Sequence, residues 1–399
     1  MSGGVEGCTK LVRDVQRISA SVTRQEERSK PLIDIGSTSA AVSPDLLSAP
    51  GGFAWWYADL VAPGGDGAVL IWSYGLPFLP GYADAARRGV PQLPFQRPSL
   101  NLAVYRRGAP VFYLLQEYPA EAQSTRALTD QQRIGRNTFW RSADGGRCTL
   151  GAALDCDLPG TGARVTGTLH VEGTARLPDS PSDPAAPHLW TPLTGPATGT
   201  LRLELDARPF TQVEGRAYHD RNAGLVPLHD LGIDRWMWGR VPLADREIVY
   251  YLTWPKGGGR PVHFGVEIGA DGRMTRTGLE VELGRERRTF GGLSRPERIV
   301  LRVADRPWME VVHTRVVDAG PFYLRMLSEA RTASGEMAEG WSELCRPDRV
   351  DLAPHRPFVR MRVHRVEGPN SIWLPLFTGP RSGRVARLLR HMLARGRTV

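Results

Sequence analysis

From Gly51 onward the chain is a succession of short apolar or alternating runs separated by Gly, Pro and Asp, the texture of a β-protein. Leu201, Leu203 and Leu205 alternate with Arg202 and Glu204. Val262, Phe264, Val266 and Ile268 alternate with His263, Gly265 and Glu267. Each run has one apolar face at period two, as a half-buried antiparallel strand requires. Asp271-Gly272 then leads towards Leu279, Val281 and Leu283, which predicts a hairpin. Val359, Met361 and Val363 alternate with Arg360, Arg362 and His364 and read as a further strand. About sixteen strand candidates at turn spacings of about ten residues predict one large sandwich or two barrels of about eight strands each. Periodicity alone does not choose between them.

The Pro-rich stretch 178–196 reads as an irregular crossing, with the next unit beginning shortly after Phe210. Residues 1–48, rich in Ser, Arg and Glu with weak periodicity, read as a mobile N-terminal extension carrying one short helix. One helix is predicted, over Ser382 to Arg395. Its apolar residues Val385, Leu388, Leu389, Met392 and Leu393 form a stripe, and Arg384, Arg387 and Arg390 lie off it. Such a helix either caps a barrel or lies on an anionic bilayer. The division expected is therefore 1–48, 49–210, 211–380 and 381–399.

Composition narrows the partners. In 399 residues, 41% hydrophobic and 23% charged, no run of 18 apolar residues exists, and the most apolar stretch, 67–82, is broken by Pro77 and Pro80. The N-terminus lacks the apolar core of a secretory signal, so the cytoplasm is the expected compartment. Four cysteines without C-x-x-C spacing read as thiols. The net charge of +9 comes almost entirely from arginines spread along the whole chain. No dense basic block or recognition motif accompanies them, so nucleic acid is not the expected partner.

Metal, nucleotide and serine-hydrolase signatures are absent, and the nine histidines are scattered singly, so a cofactor-free protein is expected. Three places crowd aromatic and polar residues: Trp55-Trp56-Tyr57-x-Asp59, His188-x-Trp190-x-Pro192, and Tyr218-His219-Asp220-x-Asn222-x-Gly224, followed by Pro227-Leu228 and Trp236-x-Trp238-x-Arg240. Each has an ordinary structural reading. Asp-x-Asn-x-Gly suits a turn, two alternate tryptophans suit a core, Asp59 can end a strand, and Arg240 can pair with a surface acid.

The combined pattern Y-x-D-x-N-x-G-x-x-P-L, then W-x-W-x-R, preceded by H-x-W-x-P and W-W-Y-x-D, resembles the carotenoid 1,2-hydratase (hydroxyneurosporene synthase) family. That family belongs to a lipocalin-like group that includes cofactor-independent cyclases and Diels-Alder enzymes. The resemblance runs from about Gly51 to the C-terminal helix. It implies an all-β fold of two tandem lipocalin-like antiparallel barrels with an apolar pocket at or between them. It also implies that Asp220 is the essential acid, supported by Tyr218 and Trp190. Trp55, Trp56, Tyr57, His188, His219, Asn222, Trp236 and Trp238 are the expected substrate-binding residues. The stretches 75–98 and 111–118 depart from the hydratase pattern and leave the particular substrate open.

Hydrating the terminal trisubstituted double bond of an acyclic isoprenoid begins with proton delivery to carbon 2, which leaves a tertiary cation at carbon 1. An alkene is a very weak base, so the donor must be an un-ionised carboxylic acid, and burial among aromatic groups is what keeps an Asp un-ionised. The aromatic faces then favour the cation by about 2 kcal/mol when both are desolvated. On a strand, Tyr218 and Asp220 share a face and His219 points away, which argues against His219 as the direct base. The expected function is acid-initiated hydration of a neurosporene- or lycopene-type carotenoid. The alternatives are a cyclase or pericyclase acting on a polyene or prenylated natural product, and a lipid carrier without catalysis. A hydrophobic polyene partner collected from a bilayer predicts peripheral membrane contact.

Overall fold

A computed structural model describes residues 32–38, 42, 44–75, 77–90, 92–123, 130–159, 162–178 and 187–395. Residues 1–31, 39–41 and 43 of the expected N-terminal extension, residues 179–186 of the Pro-rich crossing and the last four residues lie outside these. The described part of the extension belongs to the folded body: Asp34–Ile35 pairs in parallel with Leu189–Trp190, and Ile33, Ile35, Val42, Leu46 and Leu47 are buried.

Fourteen strands build the first sheet, three of them two-residue strands at its margins (Asp34–Ile35, His364–Arg365 and Gly379–Pro380) and eleven longer: β1 (Phe53–Ala62), β2 (Asp66–Tyr74), β3 (Pro98–Arg106), β4 (Ala109–Glu117), β5 (Gln131–Ile134), β6 (Asn137–Asp144), β7 (Arg147–Asp157), β8 (Arg164–Ala175), β9 (Leu189–Pro192), β10 (Thr194–Leu205) and β11 (Arg208–Gly224). Their order is β4-β3-β2-β1-β11-β10-β8-β7-β6-β5, with β9 paired beside β10 on the far end of β11. The sheet curls into an open half-barrel.

Nine strands build the second sheet: β12 (Ile233–Pro242), β13 (Arg246–Pro255), β14 (Val262–Gly269), β15 (Met274–Gly278), β16 (Glu280–Leu283), β17 (Arg298–Val303), β18 (Arg306–Ala319), β19 (Tyr323–Thr332) and β20 (Met337–Cys345). Their order is β15-β14-β13-β12-β20-β19-β18-β17-β16. Leu279, the single residue between the two edge strands, donates its N–H to His263 O, so this sheet closes almost completely on itself. The hairpin expected at Asp271-Gly272 joins β14 to β15, with Gly272 at φ +77°.

Three cores result. Trp56, Ala58, Leu60, Trp72, Leu102 and Phe139 fill the half-barrel, and Met237, Val241, Ile248, Tyr250 and Leu252 fill the second barrel. The third lies between the sheets, where Phe53, Trp55, Tyr57 and Tyr218 meet Trp236, Trp238, Val249 and Tyr251. β1 is therefore buried on both faces, which explains its nearly unbroken run of apolar residues. Buried polar ties hold the two sheets in one relation. Arg240 pairs with Asp59 at 2.6 Å and Glu247 at 2.9 Å, and Trp341 Nε1 donates to Leu60 O at 3.1 Å. Gly67 permits that tryptophan, since a Cβ there would meet its ring at 2.4 Å.

Two expectations change. The boundary expected near residue 210 falls between Gly224 and Ile233, because β11 spans 17 residues and pairs along its length first with β10 and then with β1. The strand expected over Val359–Val363 is instead the helix Arg356–Arg360 and a following turn. Pro357 starts that helix, and Val359 within it and Val363 beyond it are both buried. The chain then returns to the first sheet, where His364–Arg365 and Gly379–Pro380 cover the outer edge of β4. The C-terminal helix spans Arg384–Arg395. It buries Leu388 and leaves Val385, Leu389, Met392 and Leu393 exposed. Among the described residues, no helix is long and apolar enough to cross a membrane.

Candidate active site

Asp220 lies mid-strand on β11, not in a turn, and its side chain faces the second sheet between Tyr218 and Asn222. Its cross-strand neighbours are Tyr57 in β1 and Pro192 in β9, and those of Asn222 are Trp55 and Trp190. Pairing β9 and β1 to opposite edges of one strand thus brings the three crowded sequence segments together.

The carboxyl group of Asp220 is 2% exposed and receives three hydrogen bonds. Trp190 Nε1 donates to Oδ2 at 2.7 Å, the Tyr218 hydroxyl donates to Oδ2 at 3.1 Å, and Asn222 Nδ2 donates to Oδ1 at 3.0 Å. Asn222 Oδ1 faces His188 Nε2 at 2.9 Å, so that nitrogen carries the hydrogen and donates. Burial lowers the His188 pKa to about 4, which keeps the ring neutral. Burial raises Asp220 from 3.8 to about 8 against the opposing pull of Trp190 and Tyr218, with the Glu343 and Asp59 charges adding to the rise. The acid is therefore mostly protonated at neutral pH. Its two oxygens offer four lone pairs and three are occupied, which leaves one on Oδ1 for the hydrogen.

This acid opens on a slot between the sheets, lined by side chains of both. Strand pairing explains its length. Asp220, Tyr57, Ile71, Asn101 and Leu115 are successive cross-strand partners in β11, β1, β2, β3 and β4, and all five line one wall. At ~4.8 Å between strands the row is roughly 19 Å long. Tyr251, Trp238, Glu343, Arg325 and Asp318 form the matching row of the second sheet. The surroundings of the acid are aromatic: Trp190 lies 5.6 Å from the Tyr251 ring, and Trp238 lies 5.8 Å from Tyr218 and 5.3 Å from Tyr57.

Of the residues singled out from sequence, Asp220, Trp190, Trp55, Tyr57, Asn222, Trp236 and Trp238 line the slot. Tyr218 holds the acid, and His188 orients Asn222. Trp56 and His219 do not reach the slot, because period two turns them to the half-barrel core. Trp56 packs on Tyr74 and Phe139, and His219 packs on Phe139 with Nδ1 2.8 Å from Tyr57 O. Burial lowers the His219 pKa to about 3. Asp59 does not end a strand but sits mid-β1, and Arg240, its partner, is buried with it.

Pro77, Phe78, Tyr113 and Leu115, from the two stretches that depart from the hydratase pattern, also line the slot. So do residues that sequence reading did not reach: Tyr251, Phe322, Tyr323, Arg325, Glu343 and Arg362. Their one legible signal was a charge interrupting an apolar strand, as in Tyr323-Leu-Arg-Met-Leu and Trp341-Ser-Glu-Leu. Among the described residues, no cluster of three or more His, Cys, Asp or Glu side chains is placed to hold a metal ion.

Fold and site define a class: a lipocalin-like β-protein that keeps an un-ionised carboxylic acid in an aromatic slot, the equipment of a hydro-lyase. The chain belongs to the carotenoid hydratase family, whose model, described as carotenoid hydratase CrtC, matches residues 74–371. It is 29% identical over 336 residues to an acyclic carotenoid 1,2-hydratase of Thiocapsa roseopersicina, covering 81% of this chain and 76% of that protein. It is 27% identical over 352 residues to a Chlorobaculum tepidum protein named hydroxyneurosporene dehydrogenase, covering 82% of this chain and 91% of the relative. The crystal structure of a Nitrosomonas europaea protein assigned as AttH shares the fold, with a TM-score of 0.52 at 14% identity over 78% of this chain and 99% of that one.

Proposed function

We propose that the protein adds water across the terminal C1=C2 double bond of an acyclic carotenoid of the neurosporene or lycopene type, with Asp220 as the acid. The observation that carries this reading is the state of Asp220. It is a carboxyl group that burial keeps protonated near neutral pH, facing an elongated aromatic slot. The similarity to the acyclic carotenoid 1,2-hydratase of Thiocapsa supports the substrate class.

The alkene π pair takes the hydrogen from Asp220 Oδ1 and becomes the new C2–H bond, which leaves the cation at carbon 1. The hydrogen bonds from Trp190, Tyr218 and Asn222 strengthen as the carboxylate forms, so they favour the transition state over the ground state. The faces of Trp238, Trp190 and Tyr251 attract the cation, which a neutral alkene does not offer them. Water then attacks carbon 1 and loses a proton.

We also propose that the substrate arrives from an anionic bilayer through the C-terminal segment. The exposed Val385, Leu389, Met392 and Leu393 stand beside Arg384, Arg387 and Arg390 on one helix, and the short helix Leu374–Phe377, preceded by the exposed Ile372 and Trp373, packs on it. Val359 and Arg362, from the same segment, line the slot.

The test of the reaction is incubation with lycopene or neurosporene in detergent and D2O, with product mass analysis. The 1-hydroxy product carrying deuterium at carbon 2 is expected. An isomer without added water would favour a cyclase, and recovery of unchanged carotene bound to protein would favour a carrier.

A further inference from the structure

The wall opposite Asp220 carries polar groups that alkene protonation does not use. Trp238, Glu343 and Arg325 are cross-strand neighbours on β12, β20 and β19, and Tyr323 lies two residues before Arg325 on the same face. Arg325 Nε and Nη2 both reach Glu343 Oε1, at 3.0 and 2.9 Å, which leaves Oε2 outside the ion pair. Three buried polar hydrogens around this carboxylate, on the Tyr57 hydroxyl, the Tyr323 hydroxyl and Trp238 Nε1, have no hydrogen-bond partner among the described residues. The two hydroxyls sit near the Asp59 and Glu343 carboxylates without reaching hydrogen-bond geometry. All four side chains line the slot.

Buried donors without partners are costly, about 1–3 kcal/mol each, and usually mark a site where something polar binds. A water molecule needs two to four polar partners, and this niche offers three donors and one acceptor. It is also well placed. Tyr57 is the cross-strand neighbour of Asp220, so the niche starts about 5 Å along the slot from the acid, and Glu343 stands on the opposite sheet.

We propose that Tyr57, Tyr323, Trp238 and Glu343 bind the nucleophilic water and that Glu343 is the catalytic base that takes its proton, an inference that rests on the hydration reading above. Asp220 gives its proton to carbon 2, a water lone pair forms the C1–O bond, and the proton released from that oxygen passes to Glu343. Solvent exchange then returns a proton to Asp220 and frees Glu343. Water bound to a tertiary cation is a strong acid, so a carboxylate suffices to take its proton. Because acid and base stand on facing sheets with the alkene between them, hydrogen and hydroxyl add to opposite faces of the double bond.

Two measurements test this. In D2O the Glu343→Gln variant, shown by absorbance to bind carotene, should hydrate at least about 100-fold more slowly than wild type. Hydration within about threefold of wild type overturns the inference. The second measurement uses the wild-type protein and so does not depend on how the variant folds. With one of the two terminal methyl groups labelled with 13C, product formed in D2O should show anti addition, and syn addition overturns the proposal. A wild type that does not hydrate would instead refute the hydration reading itself.

Discussion

Replacing Asp220 by Asn removes the transferable hydrogen and preserves the shape of the side chain. The network has room to adapt. The new amide oxygen can keep accepting from Trp190 and Tyr218, and the amide nitrogen then turns Asn222 over, which His188 tolerates by changing tautomer. A positioned general acid contributes about 10²–10⁴ in rate, or roughly 3–5 kcal/mol of barrier. Here no other acid touches the alkene-facing oxygen, so hydration should fall at least about 1000-fold.

Stability should move the other way. An Asp whose folded pKa is raised stabilises the protein fully below its unfolded pKa, and that stability is lost as pH climbs through the folded value. For Asp220 the window runs from 3.8 to about 8. At pH 7 the unfolded residue is ionised while the folded one is mostly protonated, a penalty of about 4 kcal/mol at 1.36 kcal/mol per pH unit. Asn carries no such penalty. Denaturant titration should therefore show Asp220→Asn more stable than wild type at pH 7 by a few kcal/mol, with the gap shrinking towards pH 4. The reasoning fails if the variant hydrates within tenfold of wild type. It also fails if the variant is the less stable of the two at pH 7 while still binding carotene.

Wild-type hydration should decline as pH rises through about 8, where Asp220 ionises. Trp190→Phe, which removes the 2.7 Å donor to the nascent carboxylate, should shift that decline to higher pH and slow the reaction about 10- to 100-fold, read from a pH-rate profile. Arg240→Met leaves Asp59 and Glu247 buried without their cation and should destabilise the fold by about 3–5 kcal/mol in denaturant titration. Leu389→Asp combined with Leu393→Asp, both at exposed positions, should abolish co-sedimentation with anionic liposomes and leave hydration of detergent-dispersed carotene unchanged. Undiminished liposome binding would remove the helix from the delivery route.

Much of the architecture was legible because period-two alternation reports directly on the two faces of a strand. The runs at Leu201–Leu205 and Val262–Ile268 are strands, and the Tyr218/Asp220 face excluded His219 from the acid's side. The same rule failed where a strand is covered on both faces. In Phe53–Ala62 every second position is as apolar as the one between, so alternation separates Trp55 and Tyr57 from Trp56 without saying which set meets the site. That depends on which side the second sheet packs, a contact between residues far apart in the chain. Val359–Val363 misled for a related reason: spacings of two and four coexist in five residues, and Pro357 decides in favour of the helix. Glu343 and Arg325 looked like interruptions of apolar strands, because their meaning lies in pairing with each other across two strands and in facing Asp220 across the slot.

The placement of that slot follows from what the chemistry demands of a β-protein. A carboxyl group stays un-ionised only where water is excluded, yet the interiors of both sheets are already packed with their own side chains. Among the described residues, the long aromatic volume with a polar end lies between the sheets. There, cross-strand rows perpendicular to the chain direction set the length by the number of strands crossed, independently of the loops. An acid on one sheet and a carboxylate on the other then have different surroundings, because Asp220 meets only neutral donors while Glu343 meets Arg325. Two similar carboxyl groups on one strand would share each other's surroundings and compete for one proton. Setting them on facing sheets separates their environments, and it commits the reaction to opposite faces of the alkene. The stereochemistry of addition therefore probes the two-sheet design itself.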